Sequence, residues 1–309
     1  MFLKFPRLFL MFVAVSLFLS SCKDDEEENN DPKTIVEIAQ GDAQFSTLVS
    51  ALTRANLVNT LNSAGTYTVF APTNDAFNAL LTSLGYSSLD SVPTDALTNI
   101  LLYHVLGQEV TSSAITSGYV STLAAGPGTT KLSLQVTKSG STVTLNGGYG
   151  ATVTSADIDA SNGVIHVINK VLLPMNVVDI AVNNGGFTQL VSALTTASLV
   201  TTLSDASATY TVFAPTDAAF QAIASTVAGL STQQLTDVLT YHVVAGANAR
   251  SNDLSNGQVL TTVNGGTVTV NISGSTVTFV GANSTATLAL ADVQGTNGVV
   301  HVIDTVLLP

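Results

Sequence analysis

Apolar positions along the chain recur at two different periods. Phe45, Leu48, Val49 and Leu52 are spaced by three and four residues, and Leu57, Val58 and Leu61 begin a further turn, which predicts helix. Tyr67 to Phe70 reads as a strand that stops at Ala71-Pro72, because proline cannot continue a central ladder. Thr73 is placed to cap a helix carrying Asp75, Phe77, Leu80 and Leu81, with the acid near the positive helix end. Thr94 is expected to cap the next helix, which carries Leu97, Ile100, Leu101, His104 and Val105. The period then falls to two. Leu132, Leu134 and Val136 alternate with polar residues, Ser139-Gly140-Ser141 turns, and Val143 and Leu145 return, a hairpin with one buried face. Val164 to Ile168 and Val171 to Leu173 are apolar on both faces and predict a central, fully covered strand. Helices followed by strands give an α+β class.

The same order of elements is written twice. TIVEIAQGDAQFSTLVSALTRANLVNTL from residue 34 matches NVVDIAVNNGGFTQLVSALTTASLVTTL from 176, and TYTVFAPTNDAF from 66 matches TYTVFAPTDAAF from 209. LLYHVL from 101 matches LTYHVV from 239, and NGVIHVINKVLLP from 162 matches NGVVHVIDTVLLP from 297. The second copy repeats the hairpin as Val268, Val270, Ile272, a turn at Gly274, then Val277 and Phe279. A repeat this long is a whole domain rather than a solenoid unit. The expected domains are 34–174 and 175–309, with only Met175 between Pro174 and the second copy, so contact between them is expected.

Residues 1–21 place Lys4 and Arg7 before an apolar run, Leu8 to Leu19, that is short for a membrane span and reads as a signal peptide. The run ends in Leu19-Ser20-Ser21-Cys22, which resembles a bacterial lipobox. Cys22, the chain's one cysteine, is expected to become the lipid-modified first residue of the mature protein. Residues 22–33 form an acidic tether whose Lys23 to Asp31 run holds no apolar residue and resembles a surface-export signal of bacterial lipoproteins. The expected location is the bacterial outer membrane, lipid-anchored and surface-exposed. A formal charge of −12, from 9 Lys plus Arg against 21 Asp plus Glu, argues against nucleic acid as a partner. One cysteine excludes a disulfide framework or a cysteine-based zinc site within the chain.

The four histidines form matched pairs, His104 with His242 and His166 with His301. A pair within one domain could ligate a metal or act as a base. His166 lies in an apolar strand, His104 lies on an apolar helix face, and neither has an acid three or four residues on, so core histidines are expected. Asp75 and Asp217, beside Thr73 and Thr216, could be the carboxylates of a glycosidase, but helix capping accounts for both. The sequence carries no nucleophile elbow, phosphate-binding loop or calcium-loop series. No catalytic residue, metal or cofactor is assigned.

TVFAPTNDAF, Tyr103-His104 and NGVIHVINKVLLP, in that order, resemble the two signature segments and the central Tyr-His motif of the fasciclin (FAS1) domain family, and the second copy carries the same set with Tyr241-His242. The resemblance implies a wedge-like β-sandwich of about seven strands packed with several helices in each domain, the two signature segments being neighbouring core strands. In animal members the Tyr-His segment and a nearby Asp-Ile are associated with integrin recognition. Asp179-Ile180 supplies such a pair only in the second copy, the first having Glu37-Ile38, and integrin binding is not carried over. The function implied is non-catalytic adhesion or ligand binding, with an extracellular glycan or protein as partner. A glycan-capture protein serving a transport system, a hydrolase using the paired histidines and an envelope spacer are the alternatives.

Overall fold

In the computed structural model, which describes residues 31–147 and 150–309, the first repeat opens on three helices, α1 (Ile35–Gly41), α2 (Ser46–Arg54) and α3 (Val58–Asn62). Strand β1 (Tyr67–Pro72), helices α4 (Asn74–Leu84) and α5 (Thr94–Tyr103) and strand β2 (Val105–Leu106) follow. Then come β3 (Gly118–Ala125), β4 (Lys131–Ser139), β5 (Thr142–Leu145), β6 (Ala151–Ala160) and β7 (Gly163–Ile168). The second repeat gives α6 (Val177–Asn183), α7 (Thr188–Thr196), α8 (Val200–Leu203), β8 (Tyr210–Pro215), α9 (Asp217–Ala222), α10 (Ala224–Ala228) and α11 (Thr232–Thr240). It closes with β9 (Val243–Ala245), β10 (Val259–Thr261), β11 (Thr267–Ser273), β12 (Thr276–Val280), β13 (Thr285–Gly295) and β14 (Gly298–Ile303).

Each repeat holds one seven-stranded sheet, ordered β2-β1-β7-β6-β5-β4-β3 in the first and β10-β11-β12-β13-β14-β8-β9 in the second. The two signature segments are neighbours: β1 pairs with β7, and β8 with β14, in parallel, while the other pairs are antiparallel. Strands β6 and β13 carry register shifts between Val153 and Ile158 and between Leu288 and Val293. Bulges of this kind bend a strand and let it pass from one half of a folded sheet to the other. The outer face of β1 and β7, through Val69, Ala71, Ile165 and Val167, packs on Phe45, Leu48, Leu52 and Leu101 of the helical layer. The opposite face, through Phe70 and Ile168, meets Leu132, Leu134, Val143 and Leu145 of the hairpin half. Strand β7 is therefore covered on both sides, as its unbroken apolar run requires.

Four local expectations change. Strand β1 does not stop at Phe70 but continues through Ala71 and Pro72, which lie opposite Val167 and Ile168 of β7. Val171 to Leu173 is not strand: β7 ends at Ile168, β14 ends at Ile303, and Leu172 donates its N–H to a histidine ring instead of a ladder carbonyl. Thr94 is the first residue of α5 and not its cap. Extended Pro93 takes the cap position, and its carbonyl accepts the Leu97 N–H. Helix α5 ends at Tyr103, leaving His104 as its C-cap and Val105 in β2. Helices and strands are also less segregated in sequence than the periodicity implied, because β1 and β2 lie among the helices.

The repeats touch through side chains as well as the chain itself. Gln294 N–H donates to Ser133 Oγ at 2.9 Å, the Asn184 amide donates to Tyr119 Oη at 2.9 Å, and the Tyr119 ring packs on the second repeat's core. Met175 is buried and its carbonyl accepts Thr296 N–H at 2.8 Å, so the single connecting residue is held by packing and by that bond.

The NGV sequence opening β7 and β14 joins the layers. Asn162 Nδ2 donates to Leu61 O and Ser63 O at 2.7 and 3.1 Å, and its Oδ1 accepts Ile35 N–H at 2.9 Å, tying the ends of α3 and α1 to the central strand. Asn297 does the same with Leu203, Asp205 and Val177. Gly163, at φ +142°, lies where a Cβ would come within 1.9 Å of Tyr67 O in the paired strand. Asn162→Ala is expected to cost about 1–3 kcal/mol through the buried groups it leaves unpaired, and Gly163→Ala to cost more because β1 and β7 must separate. Urea unfolding followed by circular dichroism checks both; a Gly163→Ala midpoint equal to wild type would contradict the parallel pairing.

Candidate functional site

The motif residues meet inside each repeat. His104 is 2% exposed at the end of α5. Its Nδ1–H donates to Ile100 O at 2.7 Å, one helical turn back, and its Nε2 accepts Leu172 N–H at 2.8 Å. Backbone on both sides fixes the neutral Nδ1–H tautomer. His242 is held in the same way by Val238 O and Leu307 N–H, each at 2.8 Å. Burial pushes both imidazoles down from 6.5 to about 4. Tyr103 is fully buried and its hydroxyl donates to Ser133 O at 2.9 Å, with burial pushing its pKa up. Tyr241 Oη donates to Thr267 O at 2.6 Å and accepts Ala282 N–H at 3.0 Å. The Tyr-His pair thus bolts the last helix to the hairpin half and to the segment after the last strand.

The second histidine holds the corner strand. His166 Nε2–H donates to Val110 O at 2.9 Å, and its Nδ1 accepts the backbone N–H of Asp157 at 3.2 Å, with the ring 5.6 Å from that of Phe70. Asp157 sits in the bulge at φ +60°, a left-handed conformation that a side chain other than glycine rarely adopts. Its carboxylate accepts both the N–H, at 2.7 Å, and the hydroxyl of Ser112, and these bonds hold its pKa below the usual carboxylate value. The second repeat places His301, Ala249 O, Asp292 at φ +61° and Ser251 identically, and burial lowers the His301 pKa.

Serine, aspartate and histidine therefore converge twice, but not as a catalytic relay. The serine hydroxyl points at the carboxylate, the histidine bonds the aspartate backbone, and both ring nitrogens are engaged. A relay needs the imidazole against the hydroxyl and the carboxylate against the imidazole. Since each ring accepts a backbone N–H with its one lone pair, none of the four offers a metal a ligand without breaking that bond. Among the described residues no three His, Cys, Asp or Glu side chains converge on a metal position.

Thr73 and Thr216 cap α4 and α9, accepting Ala76 N–H at 3.4 Å and Ala219 N–H at 3.2 Å. The two acids beside them are not equivalent. Asp217 occupies the place of Asn74: each accepts an N–H from the start of the second helix, Gln189 at 2.7 Å and Thr47 at 2.9 Å, while Asp75 lies one residue further into α4. An amide serves in one repeat where a carboxylate serves in the other, which is structural use. Asp179 accepts Asn176 N–H in the cap of α6 and Ile180 is buried, so the Asp-Ile pair is not presented as a motif. Cys22 lies outside the described residues.

Sequence reasoning missed Thr68, Ser112, Asp157 and Asn162, with their counterparts Thr211, Ser251, Asp292 and Asn297. Buried Thr68 accepts Val110 N–H and donates to Gln108 O, which fixes the very segment His166 holds. The available signal was the same polar residue at the same place in both copies, inside or beside apolar runs.

An unfolded histidine near 6.5 and a folded one near 4 make the unfolded chain bind more protons in between. Stability is therefore expected to be fully present above about pH 6.5, to fall as the pH drops from there, and to have lost this contribution by about pH 4. At about 1.4 kcal/mol per pKa unit, each of His104 and His242 accounts for a few kcal/mol. Unfolding midpoints measured from pH 8 to pH 4 check this, and His104→Gln should lower the midpoint at pH 7 while flattening the slope. A midpoint constant down to pH 4.5 would refute it.

Comparison with known proteins agrees with this geometry. The fasciclin domain family matches residues 43–174 and again 185–309. Protein sll1483 of Synechocystis is 49% identical over 141 residues, 46% of this chain and 73% of that protein. Transforming growth factor-beta-induced protein ig-h3 of Sus scrofa is 43% identical over 141 residues, 46% of this chain, which spans only 19% of that longer protein. The solved FAS1 domain pair of the insect cell adhesion molecule Fasciclin I aligns over 86% of this chain and 97% of its own length, with a TM-score of 0.50 and 21% identity, a likeness of fold. With two matched segments covering most of its length, the chain belongs to the fasciclin domain family.

Proposed function

We propose that the protein is displayed at a bacterial outer membrane by a lipid on Cys22 and held off the bilayer by residues 22–33. Its fasciclin domains, 34–174 and 175–309, act without catalysis in adhesion or extracellular ligand binding. The observation that carries this reading is that the four histidines are turned inward and each is engaged at both ring nitrogens. The hairpin halves present hydroxyl and amide side chains to solvent, Thr137 and Ser139 in the first repeat and Thr261, Thr267 and Asn271 in the second, beside the exposed Lys131 and Val259. Such positions suit hydrogen bonding to a neutral glycan or to protein, and the chain's shortage of cations disfavours nucleic acid. The likeness to a domain pair from a cell adhesion molecule supports the same reading. No helix among the described residues is long and apolar enough to cross a membrane.

Cys22→Ser is expected to abolish acyl labelling and partitioning into the detergent phase. A variant that stays membrane-bound would refute anchoring at that residue. Adhesion and glycan-array binding should fall in a deletion strain and recover better with both domains than with one, because two linked weak sites gain avidity of roughly 10²–10⁴ when both can engage. Unchanged adhesion in the deletion strain, with no ligand bound by the pure protein, would overturn the reading.

A further inference from the structure

From Leu254 to Ala291 the second repeat carries no Asp, Glu, Lys, Arg or His, although the chain's net charge is −12. These residues build β10, β11, β12 and the start of β13, neighbouring strands of one sheet. Their inner face, through Leu260, Val268, Val270 and Phe279, fills the hairpin-half core. The side chains that alternate with these point the other way. Val259 lies opposite Thr269, Thr269 opposite Val280, and Thr261 opposite Thr267. Val259, Val263 and Val280 are 58%, 50% and 37% exposed, so valine and threonine make an uncharged face on the outside of the sheet.

In the first repeat this face of the fold is a protein contact. The register makes Tyr119 and Ser133 the counterparts of Val259 and Thr267, and both are covered: Tyr119 packs on the second repeat's core and Ser133 accepts Gln294 N–H. Repeating that joint head to tail between two copies is disfavoured. It would bring the first repeat's exposed Asp159, which stands where the second repeat has buried Gln294, onto a face that holds no cation. Other surfaces of so acidic a chain meet the same cost, the desolvation of a carboxylate with nothing to pair it. The same face of another copy does not: it is neutral, and apolar enough for sheet-on-sheet packing. We propose that the outer face of β10, β11 and β12 docks on the same face of a second copy of this chain, about a two-fold axis. Four strands about 4.8 Å apart and five residues at about 3.4 Å each give roughly 300 Å² per copy. A stable pair covers about 800 Å² per partner, so the contact is weak and concentration-dependent. It goes beyond the adhesion reading and does not rest on it, being measured on the protein in solution.

The test is sedimentation equilibrium of the Cys22→Ser protein at concentrations up to about 1 mM, with a dilution series of methyl spectra from the isotopically labelled chain. A reversible dimer is expected, with dilution shifts at Val259, Val263 and Val280 and none at Leu84, an exposed leucine of the first repeat's α4. Added salt should strengthen the dimer, because two acidic bodies are brought together through a neutral contact. Val259→Lys and Val280→Lys place like charges on both sides of the axis, and each should weaken association about tenfold with no change in unfolding midpoint. Leu84→Lys alters the net charge by the same amount and should not weaken it. A monomer throughout the range, a dimer that survives both valine variants, or one weakened equally by Leu84→Lys would overturn the proposal. So would shifts of the same methyls on adding a neutral oligosaccharide to protein that stays monomeric, which would give the face to a glycan.

Discussion

A neutral imidazole bonded to backbone at both nitrogens is the constraint on which the rest of each repeat depends. An imidazole in apolar surroundings costs little only while it stays uncharged and both nitrogens are satisfied. Here one histidine joins the last helix to the segment after the last strand, and the other joins the central strand to the corner bulge and to the 108–112 segment. These contacts span 4 to 68 residues of chain. They connect precisely the places where no ladder runs, so the helical layer and the hairpin half become one domain rather than two loosely stacked layers. The same choice removes the histidines from chemistry: the lone pair that would take a proton or a metal is the one that holds a backbone N–H.

The corner bulge shows how the two copies reach one geometry by different means. Both keep the left-handed aspartate, the serine that donates to it and the histidine beneath it. Around this shared core the charges differ. In the first copy Lys138 Nζ donates to Ser112 O and Ile115 O at 2.8 and 3.1 Å, bracing the serine's turn from the hairpin. In the second copy Ile272 stands at that position, and Arg250 instead approaches Asp292 at 3.8 Å from the serine's own segment. Left-handed backbone at a non-glycine residue costs of order 1–3 kcal/mol. The serine's two bonds to the carboxylate and the histidine's bond to the N–H offset that cost at the same residue.

Elements with a strong period were legible in the sequence, and those built from non-local polar bonds were not. The helix face through Leu48 and Leu52, the turn from strand into helix at Ala71-Pro72-Thr73, and the hairpin about Gly140 depend on neighbours a few residues away, which periodicity and capping describe. Val171 to Leu173 has a strand's composition but no partner strand, because its N–H faces a histidine 68 residues earlier. Asn162 stood in the sequence only as part of a matched segment, and its side chain reaches residues 61, 63 and 35, a set of partners that no local pattern marks. The candidate histidines stood out as a repeated pair in apolar runs. Their partners are mostly backbone, which leaves no pattern in side-chain identity. Ser112 and Asp157 lie in stretches with no clear period, so only their recurrence in the second copy marked them.

The repeats are alike in fold and unlike in what they leave uncovered. In register, Tyr119 opposite Gln135 in the first sheet corresponds to Val259 opposite Thr269 in the second. Tyr119 is packed against the second repeat and its hydroxyl is bonded to Asn184, whereas Val259 is 58% exposed. One face of the fold is thus an internal joint in the first copy and open surface in the second. Because Met175 is buried and bonded, that joint cannot swivel about a flexible linker. Any partner that engages both domains must accept the orientation already set, and the junction is the part of the molecule that a single fasciclin domain cannot supply. The residues that make this joint are spread along the chain, Tyr119 and Ser133 from the first repeat meeting Asn184 and Gln294 of the second, with Met175 between them where the chain passes from one core to the next.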